Sequence, residues 1–260
     1  MWNQLRTDAY EGMLAETVTV EGFGGDRIHT YLARPLGEGP FPSIVLIPHM
    51  PGWDEFNREV ARRFAYHGFI TACPNIYERF GHGLPEEISA KARDAGGVPD
   101  KSVMGDCEGM LKFLKSLPNA TEKVGIIGMC SGGRHAFLAG CRISGFSAVA
   151  DCWGGGVVMP FEDLTEERPI APIDLTEKLS APLIGIFGND DVAPTPEQVN
   201  LHEAELKKYD KEYEFFRYDN AGHAFWNYTR DSYRATQTMD SWEKVMSFFE
   251  KHLNSGVRER

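Results

Sequence analysis

The 260-residue chain has no run of lysine or arginine; 27 basic residues stand against 38 acidic ones, for a net charge of −11. Nucleic-acid binders need clustered cations against phosphates, so a general role of that kind is excluded. Long hydrophobic runs are missing too. The longest uncharged apolar-rich stretch, 41–53, is shorter than the ~20 residues a membrane helix needs and is broken by Pro42, Pro48, Pro51 and Gly52. The first residues, Met1-Trp2-Asn3-Gln4-Leu5-Arg6, contain no apolar stretch suited to a secretory leader. Cysteine is sparse: Cys73, Cys107, Cys130, Cys141 and Cys152 are odd in number and form no C-x-x-C pair, which argues against a disulfide framework or a zinc knuckle. There is no H-E-x-x-H and no acidic cluster at ligand spacing, so no metal is expected. Gly22-Phe23-Gly24-Gly25 is no dinucleotide fingerprint, because it stands in a hairpin rather than a strand-to-helix setting.

What is present is ordinary globular material, 42% apolar and 25% charged. Short apolar runs alternate with helical periodicity. Strands are predicted at 16–22 and 27–34 (an antiparallel hairpin), then at 43–48, 69–73, 123–128, 146–152, 182–188 and 213–218. Helices are predicted at 55–67, 86–95, 100–117, 132–141, 196–209 and 231–253, with a Gly- and Pro-rich loop over 154–181. Strands alternating with helices imply right-handed crossovers and a mostly parallel sheet covered on both faces. No repeat or interdomain linker interrupts the pattern, so one α/β domain is expected over 1–260. It is expected to be cytoplasmic and to act on a small-molecule substrate as a monomer or homodimer. Neither nucleic acid nor membrane is expected as a partner.

The chemistry concentrates at strand ends. The strand at 123–128 runs into Gly128-Met129-Cys130-Ser131-Gly132-Gly133 and then a helix, which is G-x-C-x-G, a nucleophile elbow with cysteine in place of serine. The turn is tight, so the positions two before and two after the nucleophile must be small, and Gly128 and Gly132 occupy them. The helix N-terminus adds partial positive charge that favours a thiolate and a developing oxyanion. The bland alternative is a buried cysteine in a glycine-rich turn.

An elbow cysteine needs a base and a group to orient it, in the chain order nucleophile, acid, histidine. The strand at 182–188 ends in Asn189-Asp190-Asp191, and the strand at 213–218 leads to Gly222-His223-Ala224-Phe225. Cys130, Asp190 or Asp191, and His223 are therefore expected to converge at the carboxyl ends of the strands. His223 would take the thiol proton and the acid would fix its tautomer. A helix-cap or turn role for either acid is the competing reading. One oxyanion donor is expected from the Ser131 N–H and another from the loop 48–53. Pro48 and Pro51 carry no N–H, which leaves His49, Met50 or Gly52, with Met50 preferred.

These motifs resemble the dienelactone hydrolases (carboxymethylenebutenolidases) of the α/β-hydrolase superfamily, over nearly the whole chain. The likeness rests on Gly128-Met129-Cys130-Ser131-Gly132-Gly133, Gly188-Asn189-Asp190-Asp191, Gly222-His223-Ala224-Phe225 and Cys73-Pro74-Asn75-Ile76-Tyr77-Glu78-Arg79. It implies the α/β-hydrolase fold, Asp191 rather than Asp190 as the acid, and hydrolysis of an enol-lactone or ester through a cysteinyl thioester without metal or cofactor. It also implies that Arg79 binds a substrate carboxylate. Two positions depart from the family pattern. His49 stands where the family has a glutamate, and Asn227 where a second substrate arginine is expected, with Arg230 nearby. His49 would either hydrogen-bond the reacting groups or merely line the mouth of the pocket.

Trp53, Trp153 and Trp226 lie on or beside the presumed catalytic loops, where they would wall an apolar acyl pocket or pack in the core. His82, between two glycines, carries no motif. Three functions compete: a cysteine hydrolase of a small carboxylate-bearing lactone or activated ester, a broader carboxylesterase or thioesterase, and a ligand-binding or redox-sensing homologue without turnover. The third needs only the thiol, so Asp191 and His223 argue against it.

Overall fold

The computed structural model describes residues 12–254; the reading of Met1 to Arg6 as lacking a leader lies outside them. Eight strands form one sheet: β1 (Met13–Glu21), β2 (Arg27–Pro35), β3 (Phe41–Ile47), β4 (Ile70–Pro74), β5 (Ala120–Met129), β6 (Ala148–Cys152), β7 (Leu183–Gly188) and β8 (Tyr213–Tyr218). Their order is β1-β2-β4-β3-β5-β6-β7-β8. Only the pairings made by β2 are antiparallel, so the hairpin forms one edge and β3 to β8 run parallel. This is the α/β-hydrolase architecture.

Both faces of the sheet are covered, and the strand sequences show why. In β3, Val45 and Ile47 face one core cluster while Ile44 and Leu46 face the other; in β5, Val124 and Ile126 oppose Ile127 and Met129. A run apolar at every position is what a strand buried on both sides requires. One face is packed by α2 (Pro85–Asp94), α3 (Asp100–Ser116) and α4 (Ser131–Arg142). The other face receives α1 (Glu55–Tyr66) and α6 (Ala235–Leu253) through Phe64, Trp242 and Phe249. Asp54 caps α1 by accepting the Asn57 N–H, and Thr195 and Gln198 form a capping box on α5 (Pro196–Lys208).

Several strand ends shift by two or three residues, β1 and β5 each starting three residues earlier than expected, and two larger differences stand out. The last helix begins at Ala235 rather than 231, because Arg234 turns back to the histidine loop: its N–H donates to the Phe225 carbonyl and its guanidinium to those of Asn220 and Asp231. The long loop contains two short 3₁₀ segments, Phe161–Asp163 and Pro172–Lys178. Arg134 on α4 anchors it, donating to the Gly156 and Ile170 carbonyls while pairing with the buried Asp100 of α3. Among the described residues no helix is long and apolar enough to cross a membrane.

The chain goes from β3 to β4 on one side, then returns across β3 to β5 on the other. The crevice at that reversal, outside the carboxyl ends of the strands, is where parallel sheets place ligands.

Candidate active site

Cys130 occupies that crevice. Its φ of 54° and ψ of −125° lie outside the regions an L-residue ordinarily adopts, between β5 and the first turn of α4. The strain is held by hydrogen bonds on both sides: its N–H donates to the Cys152 carbonyl at 3.0 Å, and its own carbonyl accepts the Gly133 and Arg134 amides. The flanking glycines are required sterically. A Cβ on Gly128 would overlap the Gly132 carbonyl, and one on Gly132 would overlap that of Ile47. Cys130 alone among the five cysteines is partly exposed. Burial raises the other four thiols, Cys141 to about 12.

The loops after β7 and β8 bring the acid and the histidine to the thiol. Asp191 is buried and Asp190 exposed, which separates the two candidates. Asp191 Oδ2 accepts from His223 Nδ1 at 2.8 Å, and its Oδ1 accepts the Ala193 N–H at 2.9 Å. With Nδ1 so engaged, Nε2 is left for the hydrogen bond between His223 and Cys130. Burial opposes charge on His223, but Asp191 and Cys130 outweigh it and raise the imidazole to about 10. The site thus makes His223 a much stronger base than free histidine.

The two amides expected to hold developing negative charge are those of Ser131 and Met50. Ser131 is the first residue of α4 and Met50 is exposed on the loop after β3, and among the described residues neither N–H finds a protein acceptor. Tyr77 ties the two loops together. Its hydroxyl donates to the His49 carbonyl at 2.7 Å and is itself hydrogen-bonded by the Ser131 side chain. No motif drew attention to this tyrosine, although it lies in the quoted segment after β4. Behind the elbow, burial pushes the Asp151 carboxyl up to about 7, while Oδ1 accepts the Gly154 N–H and steadies the turn beside Cys130.

The model of the dienelactone hydrolase family matches residues 28–253. The chain belongs to the dienelactone hydrolase family. A "Putative carboxymethylenebutenolidase" of Synechocystis sp. is 30% identical over 87% of this chain and 93% of its own length. A protein of the same name from Methylorubrum extorquens is also 30% identical, over 95% of this chain and 84% of its own length. A crystal structure titled "Putative Dienelactone Hydrolase" from Klebsiella pneumoniae superposes with a TM-score of 0.83 at 24% identity, covering 92% of this chain and 99% of that one. Membership places this dienelactone hydrolase relative among the enzymes that hydrolyse ester and lactone bonds.

Several expected substrate contacts are not where the sequence suggested. Arg79 is not free to receive a carboxylate: Nη1 and Nη2 grip both oxygens of the buried Asp106 at 2.9 Å, Nε donates to Asp26 and Nη2 also to the Phe23 carbonyl. Its charge clamps the β1–β2 turn to α3. Trp153 and Trp226 are 1% and 2% exposed and do not wall a pocket. They pack edge to face with each other at 5.2 Å, and Trp226 stacks on Trp242 at 4.3 Å. Trp53 does line a cavity, donating its indole N–H to the Cys73 carbonyl at 2.9 Å. His49 is buried; its Nε2 meets Asp54 Oδ2 at 2.8 Å and its ring stacks on Phe56. Burial opposes charge on Asp54, but His49 and Asn57 outweigh it and hold the carboxyl below its ordinary value. Asn227 is buried and accepts the Thr229 amide and hydroxyl, and Arg230 is exposed.

Proposed function

We propose that the protein hydrolyses a small, carboxylate-bearing lactone or activated ester through a cysteinyl acyl-enzyme. The observation that carries the reading is the ordered chain Asp191–His223–Cys130, with the thiol on a strained elbow at a helix N-terminus. His223, raised to about 10, carries a proton on Nε2 at neutral pH as the Cys130 sulfur attacks the carbonyl carbon. The resulting oxyanion is held by the Ser131 and Met50 amides, a type of contact worth about 3–4 kcal/mol of barrier per donor. Collapse breaks the carbon–oxygen bond, and His223 gives that proton to the leaving oxygen. In a lactone that oxygen stays tethered to the acyl chain. Water then attacks the thioester while His223 takes its proton, releasing the acid and freeing the sulfur. Asp191 keeps the proton-accepting nitrogen turned to the sulfur throughout. The substrate is a small molecule, and the acidic chain has no need of nucleic acid or membrane as a partner.

A broader carboxylesterase or thioesterase is the second reading. The engagement of Arg79 and the presence of Asn227 favour it, since both remove an expected anion contact. A paired assay separates the two, using wild type and Cys130→Ala on a carboxylate-bearing dienelactone and on a neutral aryl ester. Turnover of the dienelactone that is lost in Cys130→Ala is the expected result. Turnover of the neutral ester alone selects the broader enzyme. Hydrolysis of neither, or an undiminished mutant, overturns the mechanism.

A further inference from the structure

If Arg79 is committed to Asp106, a carboxylate-bearing substrate needs another cation. The arginines of α1 differ in one respect that answers this. Arg62 pairs with Glu55 and the Tyr31 hydroxyl, and Arg63 pairs with Glu59. Arg58, on the same helix, has no carboxylate partner among the described residues. Its guanidinium sits over aromatic rings instead, with Cζ 4.5 Å from the centre of the Trp53 ring and 5.8 Å from that of Tyr31. Its Nε is buried without an acceptor. A buried donor without an acceptor is costly, and structures rarely keep one without a use.

Arg58 and Trp53 line a cavity of about 250 Å³ together with Asn75, Tyr77, Glu78 and His82. The acid of this cavity is already engaged: Glu78 accepts from His29 Nδ1 at 2.9 Å and from Asn75 at 3.1 Å. The cation is not. Cys130, Ser131 and His223 are not among the residues that line the cavity; Trp53 and Tyr77 link it to the loops of the candidate site. Trp53 follows the oxyanion loop directly, and Tyr77 bridges that loop to Ser131 at the elbow. Both lie at the carboxyl ends of the parallel strands, beyond β3 and β4.

We propose that Arg58, seated over Trp53, receives the carboxylate of the substrate and takes the anion-binding part that the resemblance gives to Arg79. This rests on the hydrolase reading above for the identity of the ligand. The small volume suits a single unsaturated ring with a short acidic arm, below the usual range for drug-sized ligands. Trp53 holds the guanidinium in place, so a planar carboxylate meets a preset fork, and a lysine would offer only a point charge.

The test has a kinetic and a binding arm. In the first, a carboxylate-bearing dienelactone and its methyl ester are compared in wild type, Arg58→Gln, Arg58→Lys and Arg79→Gln. Arg58→Gln is expected to lower the preference for the acid over the ester by about 10- to 100-fold, mainly through KM, with Arg58→Lys intermediate. Arg79→Gln is expected to keep the wild-type preference. An unchanged ratio in Arg58→Gln, or a ratio lost in Arg79→Gln instead, overturns the proposal. In the second arm, 2-furoate is titrated calorimetrically into Cys130→Ala protein, where no turnover can occur. Arg58→Gln on that background should weaken binding by the same factor. No binding, or equal binding, overturns the assignment of Arg58. If 2-furoate depends on Arg58 while neither lactone is hydrolysed, the anion site stands and the hydrolase reading fails.

Discussion

Two histidine–aspartate pairs stand on loops beside the nucleophile, and each is closed at 2.8 Å, yet they are built for different work. In His223–Asp191 the carboxylate takes Nδ1 and leaves Nε2 for Cys130. In His49–Asp54 the carboxylate takes Nε2, and its other oxygen is spent on the N-terminus of α1 through Asn57. The first imidazole is a third exposed and faces a thiol; the second is buried against Phe56. Distance alone does not mark a general base. What marks it is the nitrogen left over and the group that nitrogen meets.

The comparison is broken most severely by exchanging one oxygen for an amide in each pair. Asp191→Asn should leave His223 with the wrong tautomer and lower kcat by on the order of 10²- to 10⁴-fold with the fold intact, measured by steady-state kinetics and circular dichroism. Asp54→Asn should lower kcat by less than about tenfold. Its larger effect should be on stability, seen as a lower urea midpoint, through the weakened pair with His49 rather than the cap of α1, since asparagine caps a helix as well as aspartate does. If Asp54→Asn were the more damaging to kcat, the roles given to the two pairs would be reversed.

A finer distinction comes from pH. His223 is raised from 6.5 to about 10 in the folded protein, so its pair contributes stability in full below pH 6.5 and loses it as pH rises through about 10. Asp54 is lowered, so its pair contributes above about pH 4 and loses that contribution on acidification. Urea midpoints of wild type and the two Asn variants across pH 3–10 should show Asp191→Asn flattening the alkaline limb and Asp54→Asn the acid limb. The opposite assignment would contradict both directions.

The meeting of Cys130, Asp191 and His223 was legible in the sequence because each lies in a loop punctuated at a strand end, and strand ends of a parallel sheet gather in one place. The fold was legible for the same reason: doubly buried strands and amphipathic helices are local patterns. Contacts set by distant partners were not. Asp106, 27 residues from Arg79 and on another element, decides where that guanidinium points. The burial of Trp153 depends on Phe225 and Trp226, which arrive from the loop after β8, two strands away. Arg58 reads as one more charge on an exposed helix face until its missing partner is noticed.

The histidine is delivered by β8, which pairs with β7 and, among the described residues, has no strand on its other side. A chain emerging from the ribosome therefore presents its thiol elbow well before the base that activates it, and the nascent protein carries an inert cysteine. The same order holds in reverse on heating, because a strand held by one neighbour frays before the centre of a sheet opens. Activity is expected to be the last property gained and the first lost, with heat-inactivation curves lying below the calorimetric unfolding transition. Coincident curves would show that the edge strand opens only with the whole sheet.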